Sequence, residues 1–238
     1  MAFAAHDTHV ANRLLAALPH DDRARLSPHL ELIDWPLRLP LNQAGTVIHY
    51  AYFPISGLAS ILAYMGDGTA VELGLVGRDG MLGLPALFGS GIASHTAFVQ
   101  VEGSALRIAA TALREELARG GALHQLLSRY AEFCLADVGQ LAACNALHPL
   151  SARCARWLLR ARDGLGSDRF GLTHEFLAMM LGVRRAGVTV AASGLREAGL
   201  IEYQNGQMTI LDGPKLEAAA CECYGFVVRE RDRLLPPT

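Results

Sequence analysis

Arg184 and Arg185 stand side by side just beyond Gly182, and Arg196 follows three helical turns after Arg185. A guanidinium on an exposed helix can grip guanine O6 and N7 through two parallel hydrogen bonds, the commonest specific contact to a DNA base edge. Thr189 and Ser193 add hydroxyls at helical spacing, with Ala186 and Val190 interleaved. At 3.6 residues per turn, Arg185, Ala186, Thr189, Val190, Ser193 and Arg196 share one arc, while Val188, Ala191, Ala192 and Leu195 share the opposite one. Contact with thymine methyl groups accounts for Ala186 and Val190 on an exposed arc. Simple tolerance of two small apolar residues at a solvent surface accounts for them equally well.

The flanking elements must hold that arc in place. The helix is predicted from about Arg184 to Ala198, with Gly199 as the residue that stops it. Ahead of it, Thr173 is placed as an N-cap, Glu175 sits in the first turn where negative charge suits the helix dipole, and Phe176 leaves the capping box incomplete. Leu177, Met180 and Leu181 make a buried stripe, and Gly182 allows a sharp exit. Behind the arc, Leu200 to Gln204 and Gln207 to Leu211 flank Asn205-Gly206, a strong hairpin signal. Helix, tight turn, helix and hairpin over residues 172–211 predict a helix-turn-helix with a β-wing, which sets one helix into the major groove of double-stranded DNA.

Composition fits two modest folded domains: 238 residues, 51% apolar, with mean hydropathy +0.24. No apolar run approaches a bilayer span and the N-terminus lacks a signal-peptide pattern, so no membrane association and a cytoplasmic location are expected. Five irregularly placed cysteines, at 134, 144, 154, 221 and 223, suit reduced thiols better than a disulfide framework. Cys221-Glu222-Cys223 is too closely spaced to imply a metal by itself, and no cofactor is expected. The net charge of −2 divides unevenly. Residues 1–145 hold nine basic and thirteen acidic residues, residues 146–238 twelve and ten, and residues 153–196 eight arginines against three acids. That local surplus suits phosphate attraction. Arg153, Arg156 and Arg160 line one helix face, read either as part of this surplus or as a solvated face.

After an amphipathic start from Val10 to Leu30, the N-terminal half is rich in β-formers and glycine. Leu58 to Tyr64 and Thr69 to Val76 flank Gly66-Asp67-Gly68, a predicted hairpin, and Ala97 to Ile108 reads as a strand pair or one long bent strand. Short strands between glycine turns predict a β-roll or jelly roll, with one helical turn at Pro85 to Phe88. From about Thr111 to Asn145 no proline interrupts, which predicts a single long helix. Its Leu123, Leu127, Tyr130, Cys134, Leu141 and Cys144 form a seam that fits either dimerisation, the favoured reading, or burial against the chain's own roll. His148-Pro149 ends the run and marks the predicted boundary between domains at 1–146 and 147–238.

This α+β plan of β-roll, long dimerisation helix and C-terminal winged helix-turn-helix resembles the Crp/Fnr superfamily of bacterial transcription regulators over about residues 20–225. The most specific stretches are 172–211 and Val76-Gly-Arg-Asp-Gly-Met-Leu-Gly-Leu-Pro; Tyr52-Phe-Pro-Ile-Ser-Gly57 is also similar to a branch of that superfamily. The resemblance implies a homodimer on a palindromic operator, with RNA polymerase as a further partner. It casts Arg185 as the guanine reader, Thr173 and His174 as first-helix positions near phosphate, and Arg184, Thr189 and Ser193 as further DNA contacts. Ala186 stands where many members carry glutamate and Val190 where some carry arginine, so a non-standard operator is expected.

The sensor slots depart further from the family. Where cyclic-nucleotide binders of the family have a Gly-Glu-Leu step and an Arg-Ser/Thr-Ala step, this chain reads Gly83-Leu84-Pro85 and His95-Thr96-Ala97. The carboxylate for the sugar and the arginine fork for the phosphate are both gone, which argues against cyclic AMP. Another effector at Gly83, Leu84, His95 and Thr96 stays open, as does thiol redox control through Cys134 and Cys144 meeting their dimer mates. A family-type iron–sulfur cluster needs cysteines near the N-terminus, and none precedes Cys134. Haem would need axial ligands such as His6, His9 or His49. An enzyme finds little support. His174-Glu175 lacks a second histidine at Ala178, and Gly89-Ser90-Gly91 lacks the spacing of a nucleophile elbow. A ligand-sensing or protein-interaction module without specific DNA binding is the alternative.

Overall fold

The computed structural model describes residues 11–235, so His6 and His9 lie outside the described residues. Two short helices, α1 (Arg13–Ala16) and α2 (His20–Leu26), lead into a five-stranded antiparallel sheet. Its strands are β1 (Glu31–Trp35), β2 (Pro40–Asn42), β3 (Tyr50–Tyr64), β4 (Ala70–Val76) and β5 (Thr96–Ala109), in the order β1-β5-β3-β4, with β2 also on β5. The β3–β4 hairpin turns at residues 65–69, as the glycines predicted, and β5 is one long strand. β3 is longer than its apolar run suggested because it continues through Pro54 and Gly57 by shifting register against β5. Gly57 has φ +80°, and a Cβ there would meet the Val101 carbonyl oxygen at 2.6 Å, so only glycine permits this bend. Isolated bridges Val47–Ile92 and Tyr52–Leu82 curl the sheet into a roll around Trp35, Tyr52, Val76 and Val99. The short α3 (Pro85–Phe88) lies where proline and its neighbours predicted a helical turn.

The predicted single helix from 111 to 145 is instead two: α4 (Ala110–Ala118) and α5 (Gly121–Leu147). Gly120 and Gly121, at φ +73° and +80°, break it, a conformation that β-carbon residues rarely adopt. The expected seam is also corrected. Leu123, Leu127 and Tyr130 pack into the chain's own core with Leu113, Phe53 and Val227, and Cys144 is buried in a separate cluster with Cys221 and Cys223. The open face of α5 is a different stripe, Leu135, Val138, Gly139, Ala142 and Ala146, with Leu135 76% exposed.

His148-Pro149 does break the helix, and α6 (Leu150–Leu165) starts at once behind it. Then come β6 (Arg169–Gly171), α7 (His174–Leu181), α8 (Arg185–Glu197), the hairpin β7 (Ile201–Gln204) and β8 (Gln207–Ile210), α9 (Gly213–Ala219) and α10 (Cys223–Leu234). The second sheet runs β6-β8-β7, so the short strand β6 extends the hairpin to three strands. Packing ignores the helix break: Leu58, Leu62 and Ala70 of the roll share one apolar cluster with Trp157, Leu177 and Val188. At the contact the backbones of Gly77 and Gly164 touch, and the Arg78 amide donates to the Gly164 carbonyl at 3.0 Å. Among the described residues no single helix is long and apolar enough to cross a membrane.

Candidate nucleic-acid interface

The helix-turn-helix forms as its local signals demand. Thr173 Oγ1 accepts from the Phe176 amide at 3.1 Å, capping α7. Gly182 at φ +63° ends that helix, and α8 leaves at a bend of 108°. Leu177, Met180 and Leu181 are buried against Val188, Ala191, Ala192 and Leu195, so both inward faces are as read. Gly199 has φ +70°, and Asn205 and Gly206, at +51° and +77°, have the two positive φ values that a two-residue type I′ hairpin requires. On the outside of α8, Arg185, Ala186, Thr189, Val190 and Arg196 are exposed and Ser193 is half-buried; Val190 is 75% exposed. Arg184 is exposed at the N-cap position.

His174 ties the three parts of the motif together. Its ring stacks on Tyr203 of the wing, centroids 4.7 Å apart, and Nδ1 lies 3.3 Å from Thr189 Oγ1. The Thr189 hydroxyl donates its one proton to the Arg185 carbonyl at 3.1 Å, so Nδ1–H of His174 must be the donor to Thr189. Burial first, then Arg185 and Arg196, hold the His174 pKa below its ordinary value, keeping the ring neutral around pH 7. The Thr189 hydroxyl is thus engaged twice inside the protein, leaving its methyl group on the outer arc.

The arginine stripe of α6 is corrected: it faces neither phosphate nor solvent. Arg153 Nη2 donates to the Leu181 carbonyl at 2.6 Å, closing the end of α7. Arg160 pairs with Asp137 at 2.8 Å, and Arg156 is 6% exposed. The exposed cations of the motif are therefore Arg169, Arg184, Arg185 and Arg196.

A pocket of about 570 Å³, open on one side, lies between β4, α3 and α5. Gly83, Leu84 and His95 line it; Thr96 does not, its hydroxyl instead accepting from the Ala44 amide at 3.3 Å. Leu73, Leu75, Met81, Phe88, Phe133 and Val138 make the wall apolar, and no lysine or arginine is among its lining residues. His49 is exposed and is not among them. Cys134 sits in the same wall, where burial above all pushes its thiol up to about 12, far from the reactive thiolate. Cys144 is fully buried with its sulfur 3.4 Å from Cys221 of the same chain, so the expectation that it meets a dimer mate is corrected.

A roll with a pocket on its face, joined by a long helix to a winged helix-turn-helix, is the architecture of a regulator of transcription. A Crp-like helix-turn-helix domain model matches residues 152–219, and a cyclic nucleotide-binding domain model matches residues 40–119. The chain belongs to the Crp/Fnr superfamily, whose members are DNA-binding transcription regulators rather than enzymes. The fold is shared with FixK2 from Bradyrhizobium japonicum, with TM-score 0.70 and 14% identity over 81% of this chain and 98% of that one. A crp/fnr-family regulator from Eubacterium rectale gives 0.67 and 19% over 88% and 98%. A CRP-family regulator from Thermus thermophilus gives 0.65 and 24% over 79% and 96%. Curated proteins yield no match.

Proposed function

We propose that the chain is a cytoplasmic homodimeric regulator that reads a palindromic operator, with a DNA-binding part at 147–238 and a sensor part with its long helix at 1–146. The observation that carries this is the outer arc of α8, which offers Arg185 beside Ala186 and Val190 on a helix held 108° from its partner. Arg185 reads guanine, Ala186 and Val190 pack on thymine methyls, and Arg184, with the hydroxyls of Thr173 and Ser193, serves phosphate. His174 and Thr189 lock α8 against α7 and the wing, so they position the reader. RNA polymerase is the further partner that a regulator of transcription must influence.

The stripe Leu135, Val138, Gly139, Ala142 and Ala146 supports dimerisation, because small residues let two such helices approach closely. The effector is a small, largely apolar molecule: the cavity falls within the usual size of ligand sites and lacks a cation for a phosphodiester. Binding of Arg185→Ala to a selected operator and to random duplex tests the reading. Operator affinity is expected to fall by about 1–3 kcal/mol while random-duplex binding stays within a few fold. Equal loss on both would refute base reading, and absence of any salt-dependent duplex binding by the parent protein would favour a protein-interaction module.

A further inference from the structure

Four potential metal ligands from two distant stretches of the chain converge at the junction of α5, α6 and α10: Cys144 and His148 from one, Cys221 and Cys223 from the other. Their ligand atoms all lie within 4.8 Å of one another. A tetrahedral ion with Zn–S near 2.3 Å and Zn–N near 2.0–2.1 Å sets its ligand atoms about 3.8 Å apart for two sulfurs and about 3.6 Å for sulfur and nitrogen. Cys144 Sγ and Cys221 Sγ are 3.4 Å apart, and Cys223 Sγ and His148 Nδ1 3.5 Å. The spacing fits one ion at the centre and is too tight for ligands spread across the irons of a cluster.

We propose that these residues form a closed Cys3His site for a single soft divalent cation of the zinc type. The surroundings suit that ion. His148 Nε2 lies 3.2 Å from Glu222 Oε1, so a neutral ring donates there and turns the Nδ1 lone pair to the cluster, the carboxylate–histidine–metal arrangement. Gln140 Nε2 donates to Cys223 Sγ at 3.0 Å. Three thiolates, a neutral imidazole and a divalent ion leave one negative charge, and Arg153 and Arg156 are close enough to interact with Cys144. Both arginines have a buried Nε without a hydrogen-bond partner among the described residues. Cys223 opens α10, whose N-terminal dipole favours thiolate. All four positions are filled by protein, which makes the site structural. It fastens the last helix to the helix break at His148-Pro149, where α5 hands over to the DNA-binding part.

The test uses the full chain, purified reduced. It is expected to carry one zinc per protomer, to give the visible absorption of tetrahedral thiolate-bound cobalt after exchange, and to shield Cys144, Cys221 and Cys223 from alkylation until a chelator is added. Cys134 and Cys154 label alike with and without metal. His148→Ala, at a half-buried position, lowers zinc affinity at least tenfold, whereas Cys134→Ser leaves it unchanged. Failure of added zinc to compete with a chelating dye, or identical alkylation in both states, overturns the proposal. So does a two-dalton loss linking Cys144 to Cys221 in place of metal binding, or iron with acid-labile sulfide.

Discussion

Glu72 offers the most direct test of how the roll is joined to the reader. This carboxyl on β4 is buried, and its Oε1 accepts from Trp157 Nε1 of α6 at 2.9 Å. Its Oε2 lies 3.1 Å from Ser60 Oγ, which is itself against the Gln100 side-chain oxygen. Ser60 has one hydroxyl proton. Given to Glu72, that proton stabilises the carboxylate and leaves the Gln100 oxygen without a donor; given to Gln100, it leaves a protonated Glu72 to close the chain. Burial is the main cause raising the Glu72 pKa from 4.5 to about 7, against the opposing hydrogen bonds of Trp157 and Ser60 and the charges of Arg156 and Arg160.

The sign follows from linkage. Between pH 4.5 and 7 the folded state binds more protons at this site than the unfolded chain, so stability falls as pH rises and levels off above 7. The 2.5-unit difference is worth about 3 kcal/mol at about 1.4 kcal/mol per unit. Glu72→Gln copies the protonated acid: its oxygen accepts from Trp157 and its amide donates to Ser60, with nothing to ionise. Urea unfolding of both proteins at pH 5 and pH 8 removes every other titrating group from the comparison, because those are common to the pair. The difference in unfolding free energy is expected to shift by about 2–3 kcal/mol in favour of Gln on going to pH 8. A shift below about 0.5 kcal/mol would show that Glu72 is ionised in the folded protein at both pH values, and the burial argument would fail.

Three further outcomes follow from the geometry. Leu135→Asp should weaken self-association by about 3–6 kcal/mol, from two leucines lost per dimer, which sedimentation equilibrium reads as a shift to monomer. Gly77→Ala drives a Cβ to 2.3 Å from the Gly164 carbonyl oxygen, and thermal unfolding should report a loss of about 3 kcal/mol; an unchanged midpoint would show that β4 and α6 part easily. Saturating cyclic AMP should leave operator affinity unchanged in a titration, and a rise of tenfold would contradict the reading of the cavity.

What was legible in the sequence was local. Thr173, Gly182, Gly199 and Asn205-Gly206 act within a few residues of themselves, and each does in the fold what its type demands. What was misread depended on partners far along the chain. Arg160 looks like surface charge until Asp137 reaches it from α5, and Cys221-Glu222-Cys223 looks inert until Cys144 and His148 arrive beside it. The helix α5 carries two apolar faces; the one richer in leucine and tyrosine is the stronger sequence signal, while alanine and glycine help to line the face left open. The break at Gly120-Gly121 was visible as two adjacent glycines.

Under the proposed function, β4 is the element that joins the pocket to the helix-turn-helix part. Leu73 and Leu75 line the cavity, while neighbouring Glu72 holds Trp157 and Val71 packs where α7 turns at Gly182. A register shift against β3, which pairs Ile61 with Gly74 and Leu62 with Glu72, divides the strand into a stretch from Leu73 to Val76 that lines the pocket and a stretch at Val71 and Glu72 that meets the helix-turn-helix part. The pocket's other wall is α5, from Tyr130 to Val138, and Leu135 and Val138 belong both to that wall and to the proposed dimer face. In the proposed dimer, an effector that prefers one spacing of β4 and α5 would bias both the seat of α7 and the helix on which the two protomers meet. Its leverage is limited to its difference in affinity between those spacings. A cavity walled by leucine and phenylalanine makes that difference chiefly by how well the ligand fills it.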